Sequence, residues 1–343
     1  MRKILIFIMV IALGLSSTTV FAASVKGTNA GIHSAKISAK PYSLLGGRLS
    51  ISMPEGSKII TTSSSNILGP LLSNELETRV SFKTGSEELI LCARELFCFS
   101  KNDLVKDVNY LLDNNASDPL FSVTNCIADG LPMVVVVPLQ TITTEDGTFV
   151  YGAVVKNQDG NLISVYIYAN SNAYKQKSDC NSISEQIIKS IKRGTRTLAV
   201  NKRNVTIDNN IILTVQSGCA AFVDIEKDYK IYNFVKVVPV GGYWSNMGIF
   251  SGKNPDYAGP SEGATTKDDI ILGQKIKWQY TFSDVEDPNS QVFLDTLLTV
   301  QNKNPKTGKT TTNKYHIFID ANSSKDLDSL QNMARSMKFM TAK

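Results

Sequence analysis

Apolar and polar residues alternate over short stretches of this chain, and this period of two predicts half-buried β-strands. Residues 49–53 alternate in this way and end at Pro54. The stretches Glu88–Ala93 and Phe97–Ser100 predict two further short strands. The β-branched run Met133–Val137 contains no polar residue, which is typical of a central strand.

Two pairs of such segments predict β-hairpins. Phe149–Lys156 and Asn161–Tyr168 flank the turn 157–160 (NQDG), whose glycine tolerates positive φ. In the second half of the chain, Val292–Asn302 and Lys314–Ile319 predict a longer hairpin.

A period near 3.6 predicts three helices. Asp103–Asp113 carries one apolar face, formed by Leu104, Val108, Leu111 and Leu112. Ser182 is followed three residues later by Glu185, a capping box that predicts the start of a second helix. Ser323–Asp326 predicts the cap of a last helix, whose inward residues are Leu327, Leu330, Ala334 and Met337.

The strand and turn before the second and third helices are similar in sequence. Residues 163–172 are ISVYIYANSN and residues 315–324 are YHIFIDANSS. The following helices also end alike, at Lys189–Lys192 (KSIK) and at Arg335–Lys338 (RSMK). This repetition predicts two tandem copies of one α+β domain, each a mainly antiparallel sheet closed by a C-terminal helix.

The predicted domains span residues 45–194 and 205–343, joined by a linker at 195–204. We expect the second domain to open with strands at Val205–Val215 and to contain a central strand at Ile271–Phe282. Both lengths are ordinary for a domain with its own core.

The first residues predict a signal peptide. Arg2 and Lys3 precede the apolar run Ile4–Leu15, and small residues near Ala22 offer a cleavage site, so residues 1–23 would be removed and 24–44 would form a flexible arm. No later apolar segment is long enough to anchor the chain in a membrane. We expect export to the periplasm of a Gram-negative bacterium, with secretion as the alternative.

Charge argues against nucleic acid as a partner. The net charge of +5 falls to +3 without Arg2 and Lys3. The densest basic patch, in one predicted hairpin loop, consists of Lys303, Lys306, Lys309 and Lys314, and a nucleic-acid surface needs more charge and interleaved aromatic residues.

The five cysteines predict disulfides, because exported proteins fold in an oxidising compartment. Cys92, Cys98, Cys126 and Cys180 lie in the first half and allow three connectivities. We prefer Cys92–Cys98 across a tight hairpin together with Cys126–Cys180. Cys219, among apolar neighbours, is then expected to be a buried thiol.

No motif specifies a reaction, a metal or a cofactor. The only histidines are His33 and His316, and Gly308-Lys309-Thr310 lacks the earlier glycine of a phosphate-binding loop. The acidic residues Asp284, Glu286 and Asp287 do not match a calcium loop and predict a solvated turn. We therefore expect a protein that is not an enzyme.

The strongest functional feature is the segment Gly241–Gly263, interpreted as an insertion in the second domain that forms a long loop. It carries Tyr243, Trp244, Phe250 and Tyr257. Because tyrosine and tryptophan dominate protein-binding hot spots, these four residues are the candidate partner-binding set. The alternative is that Trp244 folds back onto its own domain.

The order of elements resembles the PsbP-like domains, a group that includes the envelope protein DcrB. The resemblance depends on the strand ending at Pro54, the strand after Gly130-Leu131-Pro132, the Asp159-Gly160 hairpin and the helix ending in Lys189–Lys192. It implies helices packed around an antiparallel sheet, and an accessory role without catalytic residues.

With its predicted export and tandem domains, the chain is also similar to periplasmic immunity proteins of type VI secretion toxins. That similarity implies a non-catalytic inhibitor that clasps a secreted toxin. The alternatives are an envelope assembly or accessory protein of PsbP/DcrB type, and a hydrolase whose site the sequence does not reveal.

Overall fold

The computed structural model describes residues 37–62, 66–67, 76–101, 103–144, 146–169, 178–208, 210–225, 228–252, 265–282, 291–303 and 310–340. This part of the chain is mostly antiparallel β-sheet with three short α-helices. None of its helices is long and apolar enough to cross a membrane.

The chain divides into two compact units, and neither is one continuous stretch of sequence. The first comprises residues up to Thr62, Glu77–Thr197 and Pro239–Gly241. The second comprises Ser63–Leu76, Leu198–Val238 and the residues from Gly242 onward.

The first unit contains one large antiparallel sheet. From one edge to the other its strands are β3 (Lys58–Thr62), β5 (Glu77–Thr84), β6 (Glu87–Phe99), β11 (Asn161–Ala169), β10 (Gly147–Lys156), β8 (Leu131–Pro138) and β7 (Phe121–Ala128). The short strand β9 (Thr143–Thr144) also pairs with β10.

Both faces of this sheet carry packed elements. A small sheet and helix α2 (Ser178–Lys189) share the main hydrophobic core with it, and that small sheet consists of β1 (Ile37–Leu44), β2 (Leu49–Pro54) and β12 (Lys192–Arg193). Helix α1 (Leu104–Leu111) packs on the opposite face, where Leu104 and Val108 join a second apolar cluster. Asp103 caps α1 by accepting hydrogen bonds from the N–H groups of Val105 and Lys106.

The second unit is built in the same way. Its large sheet runs from β19 (Thr265–Ile271) through β20 (Gln274–Phe282), β21 (Val292–Lys303), β22 (Thr310–Ala321), β18 (Asn246–Gly252), β16 (Tyr229–Lys236) and β15 (Cys219–Ile225) to the short β4 (Asn66–Ile67). Its small sheet consists of β13 (Arg203–Ile207), β14 (Ile211–Val215) and β23 (Lys338–Phe339), and α3 (Ser324–Arg335) closes the core. The remaining strand, β17 (Val238–Pro239), lies where the chain passes between units.

Without the short strands β4, β9 and β17, each large sheet has seven strands, and numbered within each unit they have one spatial order, 1-2-3-7-6-5-4. In both units the last of these strands, β11 or β22, occupies the centre of the sheet, and the two strands carry the similar sequences Ile163–Ala169 and Tyr315–Ala321. The small sheets also match, since each joins the first two strands of its unit to the segment after the closing helix. Shared topology and shared sequence together indicate an internal duplication.

The serine after each closing helix makes the same contacts in both units. The Ser190 hydroxyl accepts a hydrogen bond from the N–H of Ser52 (2.9 Å) and donates one to the carbonyl of Ile187 (2.6 Å). The Ser336 hydroxyl accepts from the N–H of Thr214 (3.0 Å) and donates to Met333 (2.6 Å). Each serine therefore fixes its helix to the small sheet.

Several predicted elements are confirmed, and others are wrong. The hairpins β10–β11 and β21–β22, the helix α1 and the Ser323 cap are present, the last with its hydroxyl accepting from the N–H of Asp326. The predicted separate strands 88–93 and 97–100 form one strand, β6. Met133–Val137 lies in β8, which is next to the edge rather than central.

Three further boundaries differ from the prediction. The arm predicted as flexible at 24–44 is not so throughout, because Ile37–Leu44 forms strand β1, which pairs with β2. Ile271–Phe282 is not one strand, because the turn Leu272–Gly273 separates β19 from β20. Helix α2 begins at Ser178, one turn before the predicted cap at Ser182.

A buried ion pair joins the turn between β1 and β2 to the large sheet of the first unit. Arg48 and Glu95 bond to each other with both side chains fully buried. Arg48 Nε also donates to the carbonyl of Leu45 (3.3 Å), and Glu95 Oε1 accepts from the N–H of Phe97 (3.2 Å). The pair therefore has further hydrogen bonds that offset part of its desolvation.

Candidate functional site

One face of the large sheet in the second unit carries a cluster of aromatic side chains. Ile317 and Ile319 of β22 point into the core with α3, so the alternating residues point to the opposite side. We call that side the aromatic face, and it consists of Tyr229, Phe250, Phe293, His316 and Phe318.

The aromatic rings of this face contact one another across neighbouring strands. Tyr229 stacks on Phe250 with ring centroids 4.6 Å apart, and Phe293 stacks on Phe318 at 6.4 Å. His316 lies 5.8 Å from Phe318 in a tilted arrangement. Contacts of this kind are worth about 0.5–1.5 kcal/mol beyond burial, so the cluster is largely preorganised.

Glycine makes room for the central ring. Gly248 of β18 lies opposite Phe318, and a Cβ atom on Gly248 would lie 2.0 Å from Phe318 Cζ. The Phe318 ring therefore lies directly over the backbone of β18, which a side chain at position 248 would prevent.

The aromatic face is only partly covered. Phe293 is 40% exposed, and Phe250, His316 and Phe318 are half-buried. Helix α3, the only helix of this unit among the described residues, packs on the core side. An aromatic patch with no covering helix is a common form of binding surface.

The same face of the first unit is closed. Tyr166 has the position that corresponds to Phe318, and its ring packs with Phe149 and Tyr168 beneath the cluster that α1 completes. Burial raises the pKa of Tyr166. The two units therefore differ in whether a described helix packs on this face.

A quartet of ion-paired side chains covers the rest of that face in the first unit. Arg79 bonds Glu77 and Asp146, with the Asp146 contact at 2.8 Å, and Arg94 bonds the same two carboxylates, with its Asp146 contact at 3.0 Å. Two cations and two anions neutralise each other, so the quartet presents no net charge to a ligand.

His316 contacts an acidic side chain on the aromatic face. Its Nε2 atom lies 3.3 Å from Asp295 Oδ2. The strand neighbours directly opposite His316 are Phe250 and Leu297, and those opposite Asp295 are Phe318 and Gln279. These neighbours are not nucleophiles, so the strand register places no serine or cysteine directly beside the pair.

A second candidate is a cleft of about 350 Å³ in the same unit, lined by Asp208, Asp228, Ser251, Gly252, Thr312 and Asn313. Both oxygens of Asp208 are already used: Oδ1 accepts from Tyr232 (2.9 Å) and Lys230 (3.2 Å), and Oδ2 accepts from Ser251. Asp208 thus anchors the turn between β13 and β14 to the sheet, as Arg48 anchors the corresponding turn of the first unit. No cluster of three or more metal-ligating His, Cys, Asp or Glu side chains occurs in the described ranges.

The predicted partner-binding residues are only partly brought together. The interpretation of Gly241–Gly263 as a loop is wrong for residues 246–252, which form the sheet strand β18 and place Phe250 on the aromatic face. Tyr243 is 79% exposed just before this strand, and Trp244 is half-buried, with its carbonyl accepting from Asn322. Tyr257 lies outside the described residues.

Sequence reasoning missed Phe293, Phe318 and Tyr229. The available signal was in β22, where Tyr315–Asp320 has large residues on both faces of the strand rather than on one. Such a pattern indicates a second packed or binding face. Other predicted positions lie outside the described part, namely His33, Asp284, Glu286, Asp287, Lys306 and Lys309.

The predicted pairing of Cys92 with Cys98 is wrong, because both are thiols within the single strand β6. The β11 residues opposite Cys92 and Phe99 are Tyr166 and Asn161, which lie about 16 Å apart along an extended strand, so Cys98 is beyond the reach of a disulfide to Cys92. Burial raises the pKa of Cys92 to about 12, which makes its thiol a poor nucleophile at neutral pH.

Cys126 and Cys180 are also thiols, and their pairing stays a prediction without support from geometry. Cys126 is close enough to Lys189 to influence its pKa, whereas Cys180 lies in the first turn of α2, about 13 Å away along the helix axis. Cys219 is buried, as expected, and burial raises its pKa to about 11.

Comparisons with known proteins add no family. The chain matches no protein-family model, and no curated protein matches its sequence.

Proposed function

We propose that this chain is an exported, non-catalytic binding protein whose aromatic face engages another protein. The single observation that carries this proposal is the contrast between the two copies: α1 covers this face in the first unit, and no described helix covers it in the second. Binding surfaces use such aromatic clusters because large rigid rings bury much area at small entropic cost.

The concrete form of the proposal is an immunity-type inhibitor of a secreted toxin. The signal peptide predicted at residues 1–23 and the lack of a recognisable catalytic motif in the sequence support it. The raised thiol pKa values of Cys92 and Cys219 also support a non-catalytic role. The alternative is an envelope accessory protein of PsbP/DcrB type, which would bind several partners weakly.

Affinity purification tests the proposal. Tagged mature chain (24–343) is recovered from periplasmic extract and from contact-stressed mixed culture, and bound proteins are identified by mass spectrometry. One stoichiometric partner supports the inhibitor, whereas several weak envelope partners support the accessory protein.

Matched variants then test the surface by calorimetry with the recovered partner. Phe293→Ala and Phe250→Ala should each weaken binding by about 2 kcal/mol if they are hot spots, roughly a 30-fold rise in Kd. Phe339→Ala is the control, because Phe339 is a similarly exposed phenylalanine (46%) of the same unit on the small-sheet strand β23. Equal affinity of all three variants would show that the partner binds elsewhere.

A further inference from the structure

We infer that two copies of this chain associate through strand β7, which forms one edge of the large sheet in the first unit. The inference is independent of the aromatic face. It starts from the backbone: β7 pairs with β8 on one side, and no described strand pairs with its other side. Such an edge exposes a row of hydrogen-bonding groups that another strand can use.

The ladder shows which backbone groups point outward. Leu139 donates its N–H to the carbonyl of Leu120 (3.0 Å), and Phe121 lies opposite Pro138 in the same register. Since bonded and non-bonded pairs alternate, Phe121, Val123, Asn125 and Ile127 turn their N–H and C=O groups away from β8.

Asn114 occupies the first of these outward positions. Its side chain donates to the carbonyl of Phe121 (3.0 Å) and accepts from the N–H of Phe121 (3.1 Å), as a neighbouring strand would. The outward groups of Val123, Asn125 and Ile127 remain for an incoming strand.

The sequence of β7 lacks the usual protection of an edge. Its eight residues (FSVTNCIA) contain no charged residue and no proline, the strand has no bulge, and Ile127 is 75% exposed. The corresponding strand of the second unit, β19, carries Lys267, Asp268 and Asp269. At the opposite edge of the first unit, β3 carries Lys58 and an irregular register at Ile59–Thr61. Charges and bulges discourage edge pairing, so β7 is the edge suited to it.

A second copy of β7 fits this edge in one antiparallel register. With a two-fold axis at Asn125, Val123 of one copy lies opposite Ile127 of the other, and the two Asn125 side chains face each other. Three bonded pairs then supply about six hydrogen bonds. This register uses every available outward group and leaves the Asn114 clamp on Phe121 intact. It also covers Ile127 with an apolar residue, and it brings no like charges together.

Sedimentation equilibrium of the purified full-length mature chain tests the association. We expect a dimer that becomes monomeric with Ile127→Lys and with Asn125→Pro, each of which alters only the outward side of β7. Ile59→Lys is the control, because Ile59 is a 51% exposed isoleucine on the other edge strand of the same sheet. Circular dichroism verifies that the variants fold. A monomeric wild type at its highest soluble concentration, or a dimer that survives both β7 substitutions, overturns the inference.

Cross-linking tests the register. Thr124→Cys would lie opposite the native Cys126 of the second copy in a non-bonded pair, with Cα atoms about 4.5 Å apart, within the range that disulfides span. A mild oxidant, which takes up two electrons as the two thiols lose their protons, should then give a covalent dimer. Adding Cys126→Ser should abolish it, and Ser122→Cys, opposite Ala128, should not form it. Equal cross-linking by Ser122→Cys and Thr124→Cys overturns the register.

Discussion

The buried ion pair of the first unit makes a quantitative prediction. Glu95→Gln keeps the shape of the side chain but removes the negative charge that bonds Arg48, in a site where both side chains are fully buried. Removing one partner of a buried pair costs about 3–5 kcal/mol, because the remaining charge stays desolvated. That loss is a large share of the roughly 5–15 kcal/mol that stabilises a domain.

Replacing both partners should cost less than replacing one. Arg48→Met combined with Glu95→Leu removes the uncompensated charge and leaves two hydrogen-bonding groups, the carbonyl of Leu45 and the N–H of Phe97, without these partners. Apolar residues of similar volume often replace a buried ion pair at little or no cost in stability, so we expect the double variant to be less destabilised than Glu95→Gln.

Urea unfolding followed by circular dichroism measures these effects. Both tryptophans, Trp244 and Trp278, belong to the second unit, so their fluorescence follows that unit separately. Glu185→Gln is the control, because it removes an exposed ion pair with Lys189 in the same unit and should change stability little. A Glu95→Gln variant as stable as this control would refute the reasoning.

Two further predictions concern other contacts. Burial acts to raise the pKa of Asp269, but hydrogen bonds from Arg335, Trp278 and the N–H of Ile270 outweigh it and hold that pKa below its usual range. This stabilisation is present above the unfolded pKa and is lost as pH falls through the folded one, so below about pH 4 the wild type should lose stability more steeply than Asp269→Asn, as tryptophan fluorescence will show. Ser190→Ala and Ser336→Ala should destabilise their own units by similar amounts, about 1–2 kcal/mol, because each leaves a strand N–H without its partner. Unequal losses in urea titrations would contradict the equivalence of the two serines.

Local features were predictable from the sequence, and non-local ones were not. The Asn157–Gly160 hairpin and the Ser323 cap depend on neighbouring residues only, so local chemistry specifies them. Strand β6 was predicted as two pieces because Arg94 and Glu95 interrupt its apolar pattern, and both form ion pairs with residues that are distant in the sequence.

The candidate site shows the same division. Phe250 was identified because its segment is rich in aromatic residues. Its strand was interpreted as a loop because glycines flank and interrupt β18. Gly248 leaves room for the ring of Phe318, which lies 70 positions later in the sequence. A pattern of neighbouring residues cannot predict a contact between residues so far apart in the sequence.

The position of β11 and β22 has a consequence for how the chain folds. Each sheet receives its central strand last, since β11 inserts between β6 and β10, and β22 inserts between β21 and β18. Until that strand is available, the two halves of the sheet cannot pair, and their apolar inner edges stay exposed. Contacts between such distant segments slow folding and prolong the exposure of aggregation-prone edges. A nascent chain of this protein therefore depends on the arrival of residues 161–169, and later of residues 310–321, to complete each unit.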